Sequence, residues 1–188
     1  MPISTNEIKA GNKVEVEGEA FVILDNEHHK PGKGQAFNII KMENLRNGKV
    51  KTNTYKSGEK FDEAIIEEKP MVWLYDDGNS SVFMDEETSD QVTVDSDLVD
   101  PIRNWLKEEI NYQFIFFKDS VIKITPPFTM EMLVTESSDA VKGDTSGSAK
   151  KEATVETGAM VQVPLFIKTG DKIIVDTRDG KYVSRGNN

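Results

Sequence analysis

Along most of this chain apolar residues recur at every second position in short runs, and each run stops at glycine, proline or a small polar residue. Lys13-Val14-Glu15-Val16-Glu17-Gly18 alternates with period two and ends on glycine, the pattern of a half-buried strand. Ala20–Leu24 and Ala36–Ile40 are short apolar runs, with HHKPGKGQ between them at the tip of a predicted hairpin. Residues 49–55 add another β-rich segment. Short strands at this spacing predict a small barrel.

The pattern continues downstream. Residues 71–75 and 81–84 flank Asp76-Asp77-Gly78-Asn79, a turn made of residues that tolerate positive φ, which predicts a hairpin. Helical spacing shows once, over Leu98–Ile110, where Ile102, Trp105, Leu106 and Ile110 share a face and Pro101 suits the first turn. Residues 112–117 and 121–124 return to strand, and Pro126-Pro127 marks a boundary. Val161–Ile167 alternates around Pro164, which favours an edge or a bulge, and 172–176 answers it across a Thr169-Gly170-Asp171 turn. The expected architecture is all-β: three small barrels in tandem over 1–64, 65–128 and 129–188, with one short helix in the middle one.

Composition narrows the function classes. The 188 residues contain no cysteine, which removes disulfides, zinc–thiolate sites and thiol nucleophiles and suits a reducing compartment. No apolar run is long enough to span a membrane, and Met1-Pro2-Ile3-Ser4-Thr5 does not begin a signal peptide, so a cytoplasmic protein without membrane contact is expected. The net charge of -10 opposes phosphate in general, but it is concentrated. Residues 65–128 hold fourteen acidic against five basic side chains, whereas the first third is balanced and the last is nearly so. Both outer thirds remain free to meet RNA.

A search for chemistry finds little. His28 and His29 are the only histidines and, as strand neighbours, point to opposite faces, so they do not predict a metal site. Asp85-Glu86-Glu87 lacks the spacing of a calcium loop. No nucleophile has a visible base and orienting partner, so neither a catalytic residue nor a cofactor is expected. Lys33 lies between Gly32 and Gly34, but a strand follows it rather than Ser/Thr and a helix, which excludes a phosphate-binding P-loop. Two readings of Lys33 stay open: a solubilising turn lysine, or an amine presented to a partner on a backbone stiffened by Pro31 and loosened by the glycines.

The stretches Lys30-Pro31-Gly32-Lys33-Gly34-Gln35-Ala36-Phe37, Lys56-Ser57-Gly58, Phe83-Met84 and Gly143-Asp144-Thr145 are shared with a known family. So are Lys151, Ala153, Gly158, Val163-Pro164 and Gly170 at their spacing, and the ending 175–178 with 182–185. Together they resemble bacterial translation elongation factor P over essentially the whole length. His28-His29 departs from the aromatic–aliphatic pair usual before Lys30. The resemblance implies an SH3-like barrel followed by two OB-like barrels in an L, and a monomer that is not an enzyme. It implies binding to both ribosomal subunits between the peptidyl and exit sites. There the factor promotes peptide-bond formation at proline-rich stalls, with the tip residues Lys30, Pro31, Gly32 and Gly34 at the CCA end of peptidyl-tRNA. Lys33 matches the lysine that many members carry modified by a dedicated enzyme, commonly by β-lysylation. Gly143, Asp144 and Thr145 correspond to a loop near messenger RNA, and Tyr182 and Arg185 to a small-subunit contact; Tyr182 also reads as a packing tyrosine. The competing classes are a single-stranded nucleic-acid-binding OB protein and a paralogue of the factor with altered specificity.

Overall fold

A computed structural model describes residues 1–138 and 149–186. Among these residues the strands form three sheets, drawn from 3–63, 66–125 and 129–185. Contact density divides the chain into two compact units, the first made of Met1–Lys69 with Phe114–Lys123 and the second of Pro70–Gln113 with Ile124–Asn188.

In the first sheet β1 (Ile3–Ser4), β2 (Lys13–Val16), β3 (Glu19–His29), β4 (Phe37–Asn44), β5 (Val50–Lys56) and β6 (Lys60–Glu63) stand in the order β1-β6-β2-β3-β4-β5. The predicted alternation is what buries its core: Val14, Phe21, Ile23, Ile40 and Met42 point inward with Ile8 and Phe61. Ala20 points the other way and joins Ala64 and Phe117 in a separate cluster of the same unit. Glu17 and Gly18, both at positive φ, close the β2–β3 hairpin. β3 is longer than the apolar run that predicts it. Its pairing with β4 shifts register between Ile23 and Asp25, and beyond that irregularity the paired strands continue to His29 and Phe37.

The second sheet orders β7 (Ile66–Asp77), β8 (Ser80–Met84), β9 (Gln91–Asp95), β10 (Asn111–Phe117) and β11 (Ser120–Thr125) as β11-β10-β7-β8-β9. Gly78 at φ 65° makes the predicted β7–β8 turn. The helix expected over 98–110 is shorter than its periodicity suggests. α1 covers only Ser96–Val99 and passes into a 3-10 helix over Asp100–Trp105, with Pro101 in its first turn and an extended Leu106 after it. Two causes are local. Glu109 takes φ 61° in the turn before β10, and the Tyr112 hydroxyl accepts from the Lys107 N–H and donates to the Trp105 carbonyl, both at 2.7 Å. The backbone groups that would extend the helix are thereby taken up by a side chain. Ile102, Trp105 and Leu106 are still buried, so the apolar spacing is real and the element carrying it is tighter.

In the third sheet β12 (Thr129–Ser137), β13 (Lys150–Val155), β14 (Met160–Pro164), β15 (Lys172–Asp176) and β16 (Lys181–Arg185) are ordered β14-β13-β12-β15-β16. Pro164 ends β14, an end strand of that order, where a missing N–H is tolerated. Met130, Met132, Val134, Val161, Val163, Ile173 and Val175 fill the core, with Trp105 of the same unit packed into it.

Tyr112 has no solvent exposure, and burial pushes its phenol up to about 12. Its neutral form therefore favours the folded state: that contribution is intact below pH 10 and is lost as pH rises from 10 towards 12. Tyr112→Phe should lower stability by about 1–3 kcal/mol by leaving the Lys107 N–H and Trp105 carbonyl unpaired, with the urea m-value unchanged. It should also flatten the fall in stability between pH 10 and 12 in urea titrations of the two proteins.

The lysine tip and its root as a candidate functional site

The tip is residues 30–36, between the paired residues His29 and Phe37. Lys30, Pro31, Gly32, Lys33 and Gly34 are all exposed, so the structure brings the five predicted residues into one solvated loop. The two glycines are not equivalent. Gly34 sits at φ +110°, where a side chain is strained although only Pro31 Cγ lies within 4 Å of a built Cβ. Gly32 has an ordinary φ and open space around it. One glycine shapes the backbone, and the other leaves room beside the amine.

An exposed loop is only as well aimed as its stem. Here the His29 and Phe37 rings stack with centroids 5.2 Å apart at 12°, and Glu27 lies 3.3 Å from His29 Nε2. Below them the interior turns polar. Asn38, Ile40, Met42 and Asn44 all face inward on β4, so asparagine takes the place of an apolar residue at both ends of that face. Buried Asn38 donates to the Thr5 carbonyl at 3.1 Å and to Asn26 Oδ1 at 2.9 Å. Asn26 donates to the carbonyls of Thr5 at 2.8 Å and Ile8 at 2.9 Å. His28 Nδ1 lies 3.3 Å from Asn38 Oδ1.

Thr5 is fully buried and joins this network to the β5–β6 turn. Its N–H donates to the Glu59 carbonyl, its hydroxyl donates to the Lys56 carbonyl, and that hydroxyl accepts the Gly58 N–H. Ser57 completes the link, its N–H donating to the Ala36 carbonyl at 3.0 Å and its hydroxyl to Asn6 Oδ1 at 2.7 Å. Lys56-Ser57-Gly58, noted in the sequence only as a shared stretch, thus ties the segment after β1 to the last residue of the tip. Satisfied polar networks of this kind rigidify a unique arrangement, because each broken member leaves a costly unpaired neighbour. Sequence reading missed Thr5, Asn26 and Asn38. The signal available was an asparagine in phase with the apolar positions of β4.

The other predicted residues lie in the second unit or outside the described residues. Tyr182, on β16, is partly buried against the core of the third sheet. Arg185 is exposed, with its guanidinium 4.9 Å from the centroid of Phe166 and 3.8 Å from Asp171. Hydrogen bonds from Arg178, first from its side chain, hold the Asp176 carboxyl down to about 2 and fix the turn that leads into β16. Gly143, Asp144 and Thr145 lie outside the described residues. Among the described residues no group of acidic or imidazole side chains is placed to hold a metal ion.

Comparison with known proteins bears on the whole length. Residues 4–61 match the elongation factor P KOW-like domain, 66–124 the elongation factor P OB domain and 130–185 the elongation factor P C-terminal domain. The chain is 46% identical over 184 residues to elongation factor P 2 of Protochlamydia amoebophila, and 44% identical to elongation factor P 2 of Chlamydia muridarum. Each alignment covers 97% of both proteins. In fold it is similar to eukaryotic translation initiation factor 5A from Methanococcus jannaschii, with TM-score 0.53 at 21% identity, covering 67% of this chain and 94% of that one. It is likewise similar to an eIF-5A family protein of Naegleria fowleri, with TM-score 0.50 at 16% identity, covering 66% and 97%.

Asn38→Ala should cost about 1–3 kcal/mol and speed amide exchange at His28, His29 and Phe37, read by hydrogen-exchange NMR. Gly34→Ala should lower stability by about 1–3 kcal/mol through backbone strain, while Gly32→Ala should leave the thermal midpoint unchanged.

Proposed function

The chain belongs to the elongation factor P family, translation factors rather than enzymes, and from that premise we propose that it acts on the ribosome between the peptidyl and exit sites. There it extends Lys33 toward the CCA end of peptidyl-tRNA and stimulates peptide-bond formation at proline-rich stalls. The observation that carries the reading is the contrast at the hairpin: an exposed amine between glycines, standing on a stem whose root is a fully paired polar network.

The physical logic is positional. Proline is a poor acceptor, and a proline-rich nascent chain holds the reacting ester badly. The ribosome supplies the catalytic centre; the factor restricts the wandering of the acceptor end and so removes part of the entropic barrier. Lys33 offers a point charge and three donors to phosphate and 2′-hydroxyl groups. Modification by a lysine-modifying enzyme, β-lysylation in particular, would lengthen that reach and add donors. Lys30 stands beside it, and Pro31 and Gly34 set the backbone that brings it close.

The remaining assignments follow the family in the same way. The division into barrels over 1–64, 65–128 and 129–188 gives each family domain its own sheet. Gly143, Asp144 and Thr145 belong to a loop near messenger RNA in the exit site. Arg185 faces the small subunit with Tyr182, whose ring also packs the core. The factor works as a cytoplasmic monomer.

Lys33→Ala should fold and bind ribosomes as the parent does, yet slow synthesis of a polyproline reporter by about tenfold or more, the loss of about 1.4 kcal/mol of positioning. Unimpaired polyproline synthesis would refute the reading. Binding to free single-stranded RNA as tight as to ribosomes would favour the nucleic-acid-binding class instead.

A further inference from the structure

We propose that an apolar cleft of the first unit, lined by Ile65, Phe116 and Phe117, docks a lysine- or arginine-bearing segment of a partner protein. The cleft encloses about 270 Å³ and is rimmed by Glu15, Glu63, Glu67 and Asp119, with Lys118 the one cation in its lining. Ile65 is 81% exposed, which leaves an apolar side chain standing beside two phenyl rings with carboxylates around it.

The chain's own lysines show what this surface holds. Lys118 Nζ is 2.6 Å from Glu15 and 5.2 Å from the centroid of Phe117. Lys69 Nζ is 2.9 Å from Glu67 and 6.0 Å from the centroid of Phe116. Each ammonium meets a carboxylate and a ring, the joint ion-pair and cation–π pairing that favours a cation on an apolar stem. The other two carboxylates of the rim pair with no lysine or arginine among the described residues. Glu63 meets only the exposed N-terminal amine at 3.4 Å, and Asp119 forms no ion pair among the described residues.

Other occupants fit less well. Four carboxylates against Lys118 and Lys69 leave the rim net negative, which disfavours phosphate and so RNA. Among the described residues no acidic cluster is arranged to hold a metal ion, which leaves a cation carried on a hydrocarbon stem. The site shares no residue with the tip loop or its root, so it stands apart from the reading of Lys33. On the function proposed above, the surface this cleft meets is ribosomal protein rather than ribosomal RNA.

The test is NMR titration of the full ¹⁵N-labelled chain with the amidated peptide acetyl-Gly-Leu-Arg-Gly-Arg, and with the same peptide carrying glutamine for arginine. Shifts confined to Ile65, Phe116, Lys118 and Asp119 are expected with the arginine peptide only. Glu63→Lys with Asp119→Lys should weaken binding about tenfold or more, Ile65→Ser should weaken it at unchanged charge, and Asp85→Lys with Glu87→Lys should leave it unaltered. Four results would overturn the proposal: no shifts at millimolar peptide, shifts spread over the acidic surface, equal losses from the Asp85/Glu87 reversal, or a preference for an RNA oligomer. Self-association by light scattering that Glu63→Lys abolishes would also overturn it, by making a second copy the occupant.

Discussion

Thr5 has no solvent exposure, and its backbone and hydroxyl groups bond to Asn26, Asn38, Lys56, Gly58 and Glu59. The hairpin carrying Lys33 depends on this arrangement, because β3 beyond Leu24 offers almost nothing apolar to bury. A hydrophobic root would be non-directional and would let the stem settle in several ways. Hydrogen bonds have angles, and a full set admits one arrangement. The register shift between Ile23 and Asp25 marks where one kind of packing hands over to the other. Below it lie Phe21, Ile23 and Met42; above it Ile40 is the last fully buried apolar residue, and the stem is held by the β3–β4 ladder, the Asn38–Asn26 hydrogen bond and the His29–Phe37 stack.

Much of the fold was legible because a strand prints its two faces on the sequence. The β4, β8 and β15 segments, the Gly78 and Gly170 turns and the edge position of Pro164 all follow from alternation and turn chemistry. The helix is shorter than its spacing predicts for a physical reason. Residues at i and i+3 share a face in a 3-10 helix as they do in an α-helix, so Ile102 and Trp105 announce burial without announcing the turn that achieves it. The element ends where the Tyr112 hydroxyl takes up backbone groups, and no local pattern announces that contact.

The candidate site divides along the same line. Its exposed part, Lys30 to Gly34, was readable because loop chemistry is written in consecutive residues. Its root was not, since Thr5 is 21 and 33 residues from the asparagines that bond it, and pairing over such distances leaves no periodic trace. The conformational difference between Gly32 and Gly34 was equally hidden, because both letters are the same and φ separates them.

The open surroundings of Gly32 and Lys33 carry a consequence for how this molecule can change. Nothing at the outer end of the hairpin is wedged into an interior, so a bulkier group grafted on the amine meets solvent rather than a wall. Folding and the outermost chemistry are thereby decoupled: a group joined to that amine would displace no buried residue of the scaffold.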